Sequence, residues 1–188
     1  YFILLMYVET STLFAFQNTS FQVSLELFLP YILYSGGILE YVGLFFNEII
    51  KFNGAGAVLF SLMTLASILL YKRFLIKAGI NENIILFTSL LPFVLVTSFT
   101  FNQFHVISIN LKLLTSLLLL NVLISVPDRS IITKLISILL VIATWYICGL
   151  PFLIIVLSCF AIYTFIKRTF IRNLIIILLS GLIVYLLN

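Results

Sequence analysis

Charge is what this chain has least of. Its 188 residues carry ten basic and six acidic side chains, 9% of the total, against about a quarter in an ordinary soluble domain. So few charges cannot cover a water-soluble body of this size. Cysteine is scarce too: Cys148 and Cys159 stand alone, with a Pro-containing turn expected between them. At about 1.5 Å of helical rise per residue they sit at different depths, which argues against a disulfide. Two lone thiols make no metal site either, and both read as small apolar packing residues. There is one histidine, no metal-ligand spacing, no glycine-rich phosphate loop and no nucleophile elbow. The net charge of +4 does not point to nucleic acid, because the basic residues fall in short loops between apolar runs.

Those runs are what the sequence has in abundance, with 63% of residues hydrophobic. Runs of about 18 or more apolar residues read as membrane-spanning helices. In lipid the backbone must satisfy its own hydrogen bonds, which leaves helices or a closed barrel. A barrel needs short segments of strict alternation, and Leu111–Val126 shows none. The expected fold class is therefore all-α, a polytopic transmembrane bundle of about seven spans forming one transmembrane domain over 1–188. The spans are expected at 1–16, 54–71, 83–100, 106–126, 131–147, 149–166 and 173–188. A re-entrant hairpin over 131–166 stays open, since no charge interrupts it. The chain opens on Tyr1 in mid-span and closes at Asn188 just as a crossing would finish, so a fragment of a longer protein is expected. A signal-peptide core at 1–16 is the weaker reading, because Glu9 interrupts it and no small-residue cleavage site follows.

The basic residues orient the bundle. Lys72, Arg73 and Lys77 follow the second span, Arg129 and Lys134 the fourth, and Lys167, Arg168 and Arg172 the sixth. With one crossing per span, all three clusters fall on one face. Cytoplasmic loops hold the Lys/Arg excess, so that face is expected in the cytoplasm of a bacterial inner membrane, with 17–53 on the outer face. Trp145 and Tyr146 fall near the outer end of the fifth span, where amphipathic rings favour the headgroups.

The segment 17–53 divides at Ser35-Gly36-Gly37, a turn signal. Beyond it, Glu40, Gly43, Asn47, Glu48 and Lys51 form one stripe of a helix whose other faces are apolar. The spacing predicts an amphipathic helix over 38–52, lying in the interface against lipid or the bundle. Before the turn, Phe21–Leu27 alternates like a strand, while Thr19 and Gln22 have capping-box spacing. A short helix through about Phe28 is preferred, since a strand there has no visible partner.

Several residues are candidates for chemistry. Glu9 lies in an otherwise apolar span, where a carboxylate costs about 2.5 kcal/mol or more at the centre. It reads as a catalytic or substrate-binding acid, or as an interfacial glutamate already among headgroups. Glu40 is a second candidate acid and Glu48 a candidate substrate-binding one, and a solvated polar face explains both equally. His105, Ser108, Lys112 and Thr115 share one helical face at the outer end of the fourth span. Lys112 either snorkels to lipid phosphate, or faces inward to pair with an acid such as Glu9 or to bind an anionic headgroup. His105 reads as a substrate-binding residue or a polar loop residue. Asn110 and Asn121, with Thr97 and Ser98, suit interhelical hydrogen bonds.

Tyr7-x-Glu9, Leu13-Phe14, Gly36-Gly37-Ile38-Leu39-Glu40-Tyr41, Phe45-Phe46 and Gly54-Ala55 together resemble an uncharacterised, domain-of-unknown-function family of bacterial inner-membrane proteins. The resemblance covers roughly residues 1–70. It implies a membrane topology and a helical soluble part beyond the membrane region, and no chemistry. A looser resemblance is to GT-C glycosyltransferases, which use lipid-linked sugar donors and carry an acid just after the first span. Glu9, or less directly Glu40, takes that acid's place, but the usual paired acids are missing, because Thr10 follows Glu9.

Three functions remain. One is a transferase acting on a lipid-linked substrate at the outer face, with Glu9 or Glu40 catalytic and His105, Lys112 and Glu48 binding substrate. The second is an accessory subunit of a membrane complex, its partners the bilayer and other membrane subunits. The third is a transporter, disfavoured by the lack of charges near the centres of spans two to seven and of an inverted repeat. No nucleic acid is expected as a partner, and no cofactor can be named from these residues.

Overall fold

The structure, a computed structural model, describes residues 25–50, 55–94, 106–126 and 131–167, together with 169, 178, 181 and 182. Among these residues the regular elements are all helices: α1 (Leu25–Ile32), α2 (Gly37–Ile50), α3 (Ala55–Ala78), α4 (Glu82–Thr88), α5 (Val106–Ser125), α6 (Ile131–Cys148) and α7 (Leu150–Ile166). The expected stretches 1–16 and 173–188 lie outside the described residues, apart from isolated positions near the second. Among the described residues two helices are long and apolar enough to cross a membrane, α3 and the stretch Ile107–Ser125 of α5. Shorter apolar helices cover Gly37–Phe46, Glu82–Val94, Ile132–Cys148 and Leu150–Ile166.

Local chemistry sets the ends. α3 runs through Lys72, Arg73 and Lys77, further than the apolar run alone suggests. Cations are favourable in a helix's last turn, beside its unpaired carbonyls. It stops at Gly79, whose φ of +80° suits glycine. The Gly79 and Ile80 amides donate back to Ile76 and Leu75 in a Schellman closure. α6 and α7 are separated by one residue, Gly149, with φ +88°, and Pro151 stands in the first turn of α7 where its missing N–H costs nothing.

α5 is the hub, packing against α2, α3, α6 and α7. Around it lies a core of Phe60, Met63, Leu111, Leu117, Val141 and Val156, among others. Asn121 of α5 donates to the Leu70 carbonyl at 2.9 Å, and Lys77 of α3 donates to Ser125 at 2.6 Å. The C-terminal halves of α3 and α5 therefore meet, and the two helices run in the same direction. A Cβ on Gly79 would lie 3.6 Å from the Lys167 ammonium, which brings the end of α7 to that same end of the bundle. Lys77 and Lys167 thus share one end, and Gly36, Cys148 and Gly149 mark the other.

Polar side chains share the interior with the apolar core, and large apolar ones also face outward. Thr64, Ser67, Ser108, Asn110, Lys112, Ser116, Asn121, Thr144 and Thr164 are buried, while Leu62, Leu65, Leu69, Leu135, Leu139, Ile154 and Phe165 are exposed. In water such apolar faces mark an interaction surface; small and polar residues inside and leucine outside are what packing in lipid produces. Thr64, Ser67, Ser137 and Thr144 return their hydroxyls to their own helix's carbonyls four residues back. Asn121 makes the interhelical bond expected of it. Among the described residues the fully buried Asn110 meets no hydrogen-bond partner at either amide atom.

Candidate functional site

The polar centre lies at the end of the bundle away from Lys77 and Lys167. It begins with the turn between α1 and α2. Gly36 has φ +84°, which reverses the chain at no steric cost. A Cβ on Gly37 would collide with the Tyr31 carbonyl oxygen, so only glycine lets the two backbones touch. The turn is tied to the bundle twice: the Gly36 amide donates to the Tyr146 carbonyl at 2.8 Å, and the Tyr146 hydroxyl donates to the Ile32 carbonyl at 2.7 Å. Tyr41 packs its ring on Phe28 and Tyr31, with centroids 4.9 and 5.6 Å apart, which fastens α1 to α2.

α2 then crosses α5 closely. A Cβ on Gly43 would come within 3.0 Å of the Ser108 side chain. One turn back along α2 is Glu40, and one turn on along α5 is Lys112, so the two helices pass in opposite senses and present the pair to each other. The Lys112 ammonium donates to Glu40 Oε1 at 2.5 Å, and the Tyr34 hydroxyl donates to Glu40 Oε2 at 2.5 Å. The Lys112 side chain is 11% exposed and that of Glu40 31%.

Both ions are well placed. Glu40 sits in the first turn of α2, where the helix dipole favours an anion. Lys112 approaches the C-terminal end of α6. The position of a Gly36 Cβ is 3.1 Å from the ammonium and 3.3 Å from the Cys148 carbonyl, and a helix C-terminus favours a cation. A residue larger than Gly36 would therefore crowd both the ammonium and the Cys148 carbonyl. An ammonium has three N–H donors, and among the described residues Glu40 is the one acceptor that Lys112 meets. Burial pushes the Tyr34 phenol above the usual tyrosine range, and the bond to Glu40 adds to the effect. The phenol stays protonated and donating through neutral pH.

The expected residues separate into three groups. Among the described residues Lys112 faces inward and pairs with Glu40, one of the acids that the sequence marked. Of the polar stripe on the helix over 38–52, Glu40 and Gly43 face α5. Lipid supplies no hydrogen bonds, so polar groups turn to each other. Glu9, His105 and the side chain of Glu48 lie outside the described residues. Tyr34 is the residue that sequence reasoning missed; six residues before Glu40 across a glycine turn, it had no helical spacing to flag it. Among the described residues no three His, Cys, Asp or Glu side chains converge to hold a metal, and both cysteines are free thiols.

One family model, described as a family of unknown function (DUF6057), matches residues 1–188. The match extends over the whole stretch, beyond the first 70 residues on which the resemblance rested. No curated protein and no solved structure matches the chain.

Proposed function

We propose the following for this chain, which belongs to the DUF6057 family of unknown function: it is a multi-pass inner-membrane protein that binds the phosphate of a lipid-linked substrate at the outer face, beside Lys112 and Glu40. The observation that carries this reading is the Lys112 ammonium, buried inside an apolar bundle with donors beyond the one that Glu40 takes. An ionisable group at such depth is costly and is generally tied to a binding or transfer step. A phosphate oxygen can take the remaining ammonium donors while Glu40 keeps the first, so the site binds an anion without breaking the pair. In transfer of a sugar to a hydroxyl acceptor, Glu40 takes the acceptor's proton while Tyr34 holds the carboxylate's other oxygen. The acceptor oxygen bonds to the sugar carbon as that carbon's bond to the lipid phosphate breaks, and the phosphate leaves held by Lys112. With Lys77 and Lys167 at the cytoplasmic end by the positive-inside rule, this centre faces outward.

A second reading is an accessory subunit. It is favoured by the mutual neutralisation of Glu40 and Lys112, which ties α2 to α5 and needs no reactant. Binding separates the two. Trp145, the single tryptophan, lies one turn before Gly149, whose amide donates to the Trp145 carbonyl. Its fluorescence in detergent-purified protein is the reporter, and a polyisoprenyl phosphate the titrant. A saturable change is expected in the parent chain, weakened about tenfold or more (~1.4 kcal/mol) in Lys112→Met and unchanged in Lys134→Met. Equal affinity in the parent chain and Lys112→Met defeats the binding reading and leaves the subunit reading standing.

A further inference from the structure

At the opposite end of the bundle, the Schellman closure at Gly79 and the N-cap of α4 reverse the chain within three residues. The Asn81 side-chain oxygen accepts the Asn83 amide at 3.2 Å and starts α4. This tight connection lays the first turns of α4 beside the last turns of α3 and leaves a cleft of about 550 Å³ between them. Its apolar wall is Ile76, Ile80, Ile85 and Leu86. Ser89 also lines it, but its hydroxyl is spent on the Leu86 carbonyl at 3.0 Å. Two charges stand in the same cleft, Lys72 and Glu82. Both side chains are exposed, and among the described residues neither forms an ion pair, with the other or with a third group.

Two opposite charges that share a cleft without meeting leave a gap for a molecule carrying both. The cleft is within the size range of small-ligand sites. Its polar part needs an anion for Lys72 and a cation for Glu82, and its wall needs a hydrocarbon chain. Glutamate accepts hydrogen bonds, so a primary ammonium, which donates them, fits better than a trimethylated one. A purely anionic headgroup would satisfy Lys72 but be repelled by Glu82. We infer that this cleft holds a phosphatidylethanolamine-type phospholipid, its phosphate on Lys72, its ammonium on Glu82 and an acyl chain along Ile76, Ile80, Ile85 and Leu86. This site is separate from the Lys112 centre and does not rest on it.

Native mass spectrometry tests the site on the chain purified in mild detergent and exchanged into equimolar phosphatidylethanolamine, phosphatidylglycerol and phosphatidylcholine. The parent chain is expected to retain the ethanolamine lipid about tenfold over the other two. Glu82→Gln removes that preference and raises phosphatidylglycerol, Lys72→Gln weakens all three, and Leu86→Trp fills the slot and lowers retention of every lipid. The exposed positions of Lys72, Glu82 and Leu86 leave the fold intact, checked by circular dichroism, and Lys134→Gln is the control. Equal retention of the three lipids by the parent chain, a preference for phosphatidylglycerol, or an ethanolamine preference that survives Glu82→Gln overturns the assignment.

Discussion

Lys112 and Glu40 come from positions 72 residues apart, and each supplies what the other's burial requires. Removing one leaves the other charge poorly solvated, at a cost of about 1–3 kcal/mol for a group left without its partner. Glu40→Gln and Lys112→Met are each expected to lower the thermal stability of the detergent-purified protein by about that much. The double variant should lose clearly less than the two effects added together, because contacting residues couple. Simple additivity would mean that the two side chains do not act as a pair. Tyr34 extends the cluster. Its bond to Glu40 requires the protonated phenol, so the bond's contribution is complete below the unfolded tyrosine pKa of about 10 and is lost as pH rises through the higher folded value. In an alkaline absorbance titration Tyr34 should ionise late, and Glu40→Gln should bring its ionisation to lower pH. The sequence marked Glu40 and Lys112 singly, because a charge in an apolar run stands out. It could not join them, because nothing local encodes a contact between helices separated by α3 and α4.

Elements were more legible than contacts. The stripe spacing over 38–52 marked a helix, and α2 spans Gly37–Ile50. The apolar run at 106–126 marked another, and α5 spans Val106–Ser125. Over 131–166, where a hairpin was also open, Gly149 separates two helices of 18 and 17 residues. The stretch 83–100 reads less simply: α4 ends at Thr88, a turn covers 89–90, and helix resumes to Val94. Whether the polar stripe on α2 met water or the bundle was open in the sequence, and Glu40 and Gly43 face α5. Gly43 is what lets that stripe approach α5, and its space against Ser108 is already minimal. Gly43→Val is therefore expected to push the two helices apart and cost about 1–3 kcal/mol, the usual range for overpacking, with weaker phosphate binding as a consequence. Unchanged melting and binding in that variant would show that the crossing is not what sets the pair's geometry.

For the molecule as a whole, composition indicated the medium before any element was placed. Sixty-three per cent hydrophobic residues with 9% charge require a non-aqueous exterior, and the exposed leucines over buried serines, threonines and asparagines have the same requirement. The proposed function requires that the bundle cross the membrane with Lys72, Lys77 and Lys167 inside the cell and the Tyr34–Glu40–Lys112 cluster facing out. Leu33, 84% exposed, lies in the turn beside that cluster, and Lys72 lies at the basic end. In a background with Cys148→Ala and Cys159→Ala, each is replaced in turn by cysteine and treated with a membrane-impermeant maleimide. The account predicts labelling of Leu33→Cys on intact cells, and of Lys72→Cys only after the membrane is opened. Labelling of both from one side, or the reverse order, would contradict it.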